Sequence, residues 1–264
     1  MTEGLLAFWL HIQQPLRYGF AVPPPLTQGR HILRFTDMKR FQVLDAWRSL
    51  AIVLMVIYHF LYDLALFGVI TWEQMFAAPL NIMQKFICCS FIFLAGASAR
   101  FSRSNLRHGL IVIAAGVIVA IGGAVGGQTI RFGVLQLLGW SMVIYHFAGK
   151  YLQKVPGAAL AVLCGALYFL TDWWTGMVRV ASHWLYPMGL MYSGFSSADY
   201  FPLLPWFFLF LIGTVFGGWC LQHRDSRILT APLSGALTFL GRHSLIVYLL
   251  HQPILFGISF LLWG

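Results

Sequence analysis

Four charged or titratable side chains, Asp45, Arg48, His59 and Asp63, interrupt the otherwise apolar run DAWRSLAIVLMVIYHFLYD. A charge at the centre of a bilayer costs roughly 3 kcal/mol or more, so those that persist there face a protein interior or a water-filled cavity. In a helix, residues separated by three, four, seven or eleven positions share a face, which puts Asp45, Arg48, Ile52, Met55, His59 and Asp63 on one stripe. At about 1.5 Å per residue, Arg48 and His59 lie roughly 16 Å apart along it. The chemistry this permits is a cationic mouth for an anion, with an ionisable group at its far end. Asp63, one turn beyond His59, can orient the ring and favour its protonated form, as a general base requires. A histidine satisfied by one buried hydrogen bond is the plainer alternative.

A second histidine, His251, stands in LGRHSLIVYLLHQPIL, nine residues after Arg242. On a continuous helix it lies roughly 13 Å deeper than Arg242. Because Arg48 and Arg242 both mark cytoplasmic helix ends, His59 and His251 reach the same depth and can meet inside a bundle, with Tyr248 as a helper. Pro253 removes a ladder hydrogen bond and frees a carbonyl near this polar centre. A helix–helix hydrogen bond would account for His251 equally well. On the opposite side, Asp199, Arg131 and Gln136 are polar groups available to a substrate, to which Tyr248, near His251, adds a hydroxyl. Arg131 is expected to pair with a carboxylate such as Asp199 or, equally, to stand as a plain interfacial arginine, and an acid at a helix N-terminus is favoured by the dipole alone. Arg48 and Arg242, with Asp45 between them in type and Arg100, Arg103 and Arg107 nearby, could line an anion site, since the arginine fork matches phosphate. For the Arg100 triplet, topology and anionic headgroups explain the charge better.

The elements that must position these groups are membrane helices. Hydrophobic residues make up 59% of the 264 and charged residues 9%, against about 25% charged in soluble domains. The net charge of +9 does not indicate nucleic acid, because the basic residues stand singly or in small groups with no aromatic-interleaved patch. With about 20 apolar residues needed to span, seven helices are expected near 44–66, 80–99, 109–127, 132–149, 156–172, 203–221 and 240–263. The fold class is therefore an all-α polytopic bundle. All Lys and Arg except Lys85, Arg131 and Arg179 fall on one side, which makes the N-terminus cytoplasmic. Residues 1–38, with Pro23, Pro24 and Pro25, read as a cytoplasmic leader ahead of a membrane domain at 39–264, and Met38 could serve as the start. The connection from Asp172 to Pro202 carries Trp173, Trp174, Trp184, Tyr186 and Tyr192, either as an interfacial belt or as a lid. Cys88, Cys89, Cys164 and Cys220 lie in apolar segments and suggest neither a disulfide framework nor a metal site.

Five ordered segments resemble the catalytic domain of heparan-alpha-glucosaminide N-acetyltransferase: LDAWRSLAIVLMVIYHFLYDLALFG, FIFLAGASARFSR, IRFGVLQLLG, ADYFPLLPWFFLFLIGTVFG and LGRHSLIVYLLHQPIL. The likeness covers about residues 40–262. The Arg48 and His59 spacing also resembles that of the membrane O-acyltransferases of the acyltransferase-three family. Ser49 stands where a glycine usually follows the arginine, and Gln136 where a histidine is expected. The lysosomal enzyme's own active-site histidine, beyond its first helix, has no evident match.

The resemblance implies an integral membrane enzyme, in the bacterial inner membrane, that moves an acyl group from cytoplasmic acetyl-CoA to an amino sugar or glycan. By position Arg48 and His59 take the roles of donor contact and catalytic histidine. Beside them Arg242 and Asp45 would complete the donor site, His59, oriented by Asp63, would deprotonate the acceptor with His251 or Tyr248 as helper, and no metal is expected. A histidine-bound acyl group is the mechanistic variant. The competing class is a proton-coupled transporter with His59, Asp63 and His251 as a relay, for which a homodimer would supply enough helices. No internal repeat supports that plan.

Overall fold

The computed structural model describes residues 41–231 and 233–264. The expected leader and the start at Met38 lie outside these residues. Among the described residues the order of helices is α1 (Gln42–Leu66), α2 (Trp72–Met75), α3 (Ala78–Phe101), α4 (Asn105–Val125), α5 (Val134–Leu152), α6 (Gly157–Met177), α7 (Leu203–Gln222), α8 (Gly235–Arg242) and α9 (Ser244–Trp263). The protein is an all-helical polytopic bundle: α1, α3, α4, α6, α7 and α9 are each long and apolar enough to cross a membrane. The 19-residue α5 packs against α4 and touches α3 and α7.

Each expected segment contains one long helix, with two corrections. The last segment, 240–263, is not continuous: it breaks at His243, which caps α9 while its N–H turns back to the Phe239 and Leu240 carbonyls. The break lets α8 lie against α1. There the Gly241 N–H donates to Ser49 Oγ at 2.7 Å, and a side chain at Gly241 would run into the Asp45 carbonyl. The second correction concerns α6, which continues past Asp172 to Met177 and takes Trp173 and Trp174 into the helix. The connection is thereby shortened to 178–202, with one 3-10 turn at Tyr186–Met188.

Helix α1 shows why the sequence builds a bundle of this kind. Asp45, Ile52, Met55 and Asp63 are buried, with Arg48 and His59 partly so, while Leu50, Val53 and Ile57 on the other face are exposed. The apolar face suits lipid, and the polar stripe is covered by α3, α8 and α9. Trp47 Nε1 donates to Ser90 Oγ at 3.1 Å and pins α1 to α3.

Small residues bring α3 and α7 into backbone contact, which is how membrane helices gain packing without a hydrophobic drive between them. A Cβ added at Gly96 would strike the Phe210 carbonyl, and one at Gly213 would strike the Phe93 carbonyl. Gly96→Val should therefore cost roughly 2 kcal/mol and lower the thermal midpoint of the detergent-solubilised chain. Gly122→Ala, a helical position with nothing within 4 Å of the added atom, should leave the midpoint unchanged. Equal midpoints for Gly96→Val and wild type would contradict the close α3–α7 approach.

Candidate active site

The polar stripe of α1 has two poles. At the basic end, Asp45 sits between two arginines. Arg48 Nη1 donates to Asp45 Oδ1 at 2.9 Å, and Arg242 Nε lies 3.8 Å from Asp45 Oδ2. Arg48 also donates to Ser98 Oγ at 2.8 Å and to the Gly241 carbonyl at 3.4 Å. Arg48 therefore spends much of its fork joining α1, α3 and α8, and its side chain is only 17% exposed against 38% for Arg242. Among the described residues two cations thus flank one carboxylate. Arg242 is the more available of the two to an incoming anion.

The far pole is where α1 meets α9. The rings of His59 and His251 lie 4.8 Å apart, centroid to centroid, inclined at 65°. The two histidines thus meet as their depth suggested, although the helix break after Arg242 removes the continuous rise on which that expectation was built. His251 Nδ1 sits 2.6 Å from the Tyr248 carbonyl oxygen. A carbonyl only accepts, so Nδ1 carries the proton and the lone pair of the neutral ring is on Nε2. That Nε2 atom is buried with no hydrogen-bond partner among the described residues. The Tyr248 ring lies 5.5 Å from that of His251.

Asp63 departs from its expected part. Its Oδ1 accepts from Gln252 Nε2 at 2.9 Å across the α1–α9 junction. Among the described residues no hydrogen bond joins it to His59. A fully buried carboxylate at this depth needs a donor, and the amide next to His251 supplies it. Asp63 therefore aligns α9 against α1 and sets His251 in place through its neighbour. Its Oδ2 and Gln252 Oε1 have no partner among the described residues, so polar capacity remains open beside the histidines.

The other expected contacts divide. Arg131 does not pair with Asp199: its Nε donates to the Ser196 carbonyl at 3.1 Å, and its guanidinium lies 6.0 Å and 5.8 Å from the Tyr192 and Phe195 ring centroids. Carbonyl and aromatic partners within its own loop reach it first. Gln136 is engaged at both ends, accepting from the Gly133 N–H at 2.9 Å and donating to the Gly116 carbonyl at 3.1 Å. It staples α4 to α5. Asp199 Oδ2 accepts from the Val134 N–H at 3.1 Å. The four cysteines are free thiols.

A family model described as the catalytic domain of heparan-alpha-glucosaminide N-acetyltransferase matches residues 40–253. The chain belongs to this family. It is thus a member of a family of membrane acetyltransferases, and the match runs from just before α1 to Pro253 on α9, taking in both poles of the stripe. No curated protein and no solved structure matches the chain. Ser98 and Gln252 gave no signal of their own in the sequence. Ser49, noted only as a departure from the usual glycine, is the residue that anchors the end of α8.

Burial raises the Asp199 carboxyl to about 6, opposed by the Val134 hydrogen bond. The folded state therefore holds the proton more tightly than the unfolded chain, whose value is 3.8. Its contribution to stability is complete below the unfolded value and is lost as pH rises through about 6. The midpoint of the wild-type chain should fall across that window. Asp199→Asn keeps an acceptor for Val134 but cannot ionise, and should show a flatter profile by thermal unfolding in detergent. Parallel profiles would contradict a carboxyl raised to about 6.

Proposed function

We propose that the protein transfers an acetyl group from acetyl-CoA, bound at the basic end of α1, to an amine or hydroxyl of a sugar or glycan at the His59–His251 pair. The observation that carries this is His251: Nδ1 is fixed by the Tyr248 carbonyl, and Nε2 is buried without a hydrogen-bond partner among the described residues, with the His59 ring 4.8 Å away centroid to centroid.

The steps follow from those atoms. His251 Nε2 takes a proton from the acceptor as its nitrogen or oxygen attacks the thioester carbonyl carbon. The carbon–sulfur bond breaks, and the departing thiolate recovers the proton from the imidazolium. Products are the acetylated acceptor and free CoA, with no net proton lost from the enzyme. His59, facing His251, is placed to donate to the carbonyl oxygen as negative charge develops there. At the basic end Arg242 leads the contact with the donor's phosphates and Arg48 supports it, being already committed to Asp45, Ser98 and Gly241. The stripe between the poles is filled by Ile52 and Met55, both buried. The pantetheine arm therefore passes where Met55, the flexible member, can swing aside.

Membership in an acetyltransferase family favours this over the proton-relay transporter. The Lys and Arg distribution supports a cytoplasmic placing of the basic end, and the membrane proposed is the bacterial inner membrane. Purified full chain given labelled acetyl-CoA and glucosamine should form labelled N-acetylglucosamine. His251→Ala should lower kcat by roughly 10²- to 10⁴-fold, the range for loss of a general base, with a smaller loss for His59→Ala. Undiminished turnover by His251→Ala would remove it from the chemistry.

A further inference from the structure

A basic cavity lies away from the histidines. It has a volume of about 310 Å³ and is lined by Arg100, Tyr145, Gln153, Thr214, Trp219 and Gln222, with apolar walls from α5, α6 and α7. No Asp or Glu lines it. Arg100 is partly buried and makes no hydrogen bond or ion pair among the described residues. Its fixed fork of donors is therefore open to a ligand that enters the cavity.

The cavity is built to hold that side chain. A Cβ at Gly217 would come 2.8 Å from Arg100 Cβ, and one at Gly218 would come 3.3 Å from Arg100 Nε. The two glycines therefore let the arginine lie along α7 with its head in the opening. Ser98 points the other way and binds Arg48. Two residues further on, at 3.6 residues per turn, Arg100 is turned roughly 200° from it. The cavity is thus separated from the α1–α9 site by the thickness of α3. Other cations share this end: Lys150 Nζ lies 4.8 Å and Lys154 Nζ 5.8 Å from the Tyr151 ring centroid.

The fork fits an anion with two or more acceptor oxygens, which a phosphoryl group supplies. The walls of Leu152, Val155, Leu160 and Val215 suit a group attached to an apolar body. We infer that the Arg100 cavity binds the phosphoryl headgroup of an anionic membrane lipid.

Native mass spectrometry of the full chain, with phosphatidylglycerol or phosphatidylcholine added to the detergent, tests this. Wild type should retain phosphatidylglycerol in preference to phosphatidylcholine. Arg100→Gln removes the fork, and Ala158→Trp fills the cavity from its exposed rim. Each should weaken phosphatidylglycerol retention by roughly tenfold, as expected for lost charge-assisted hydrogen bonds. Arg224→Gln, which removes an exposed charge outside the cavity, should not. Equal retention by Arg100→Gln and Arg224→Gln would overturn the site. Displacement of the lipid by inorganic phosphate or CoA in wild type would assign the cavity to a soluble phosphate and overturn the lipid.

Discussion

A polar stripe on a membrane helix has to be covered by protein, and that constraint shapes the half of the bundle around α1. Lipid cannot satisfy Asp45, Arg48 or Asp63, so each is met by a neighbouring helix. Arg48 reaches Ser98 on α3 and the Gly241 carbonyl at the end of α8, while Asp63 is met by Gln252 on α9. These contacts draw the C-terminal helices onto α1. The break at His243 is what allows one segment to serve both poles: α8 closes the basic end, and α9 crosses to the other.

The same satisfaction of charge separates structural from reactive groups. Asp45 and Arg48 are largely spent on each other and on the fold, which leaves Arg242 the more open cation. Asp63 holds α9 through Gln252, so the carboxylate nearest His59 in sequence acts on position, not on that ring. His251 is the group with an engaged nitrogen and an open one. A ring fixed at Nδ1 and free at Nε2 is oriented for proton transfer, and its neighbour His59 shares the space.

The stripe on α1 was legible because helical periodicity projects directly onto one face, and the long apolar segments were legible from length alone. The meeting of His59 and His251 was legible from depth, although the helix between Arg242 and His251 is interrupted and the inference ran through a rise that does not exist. Partner choice was not legible. Arg131 and Asp199 were matched by charge, yet Arg131 found a carbonyl and two aromatic rings in its own loop, and Asp199 a backbone N–H. Ser49 bonding Gly241, and Gln252 bonding Asp63, join residues 192 and 189 positions apart. Such pairs depend on how helices dock, which periodicity within one helix does not encode.

The central claim is that a single donor path runs from Arg242 and Arg48 to the histidine pair. A structure of the full chain with a non-reactive acetyl-CoA analogue tests it most directly. The account predicts phosphates against Arg242 and Arg48, with the acyl carbon close enough to His251 that one bound acceptor atom, at about 3 Å from Nε2, bridges the two. An analogue whose nucleotide occupies the Arg100 cavity, or whose acyl group ends away from both histidines, would contradict it.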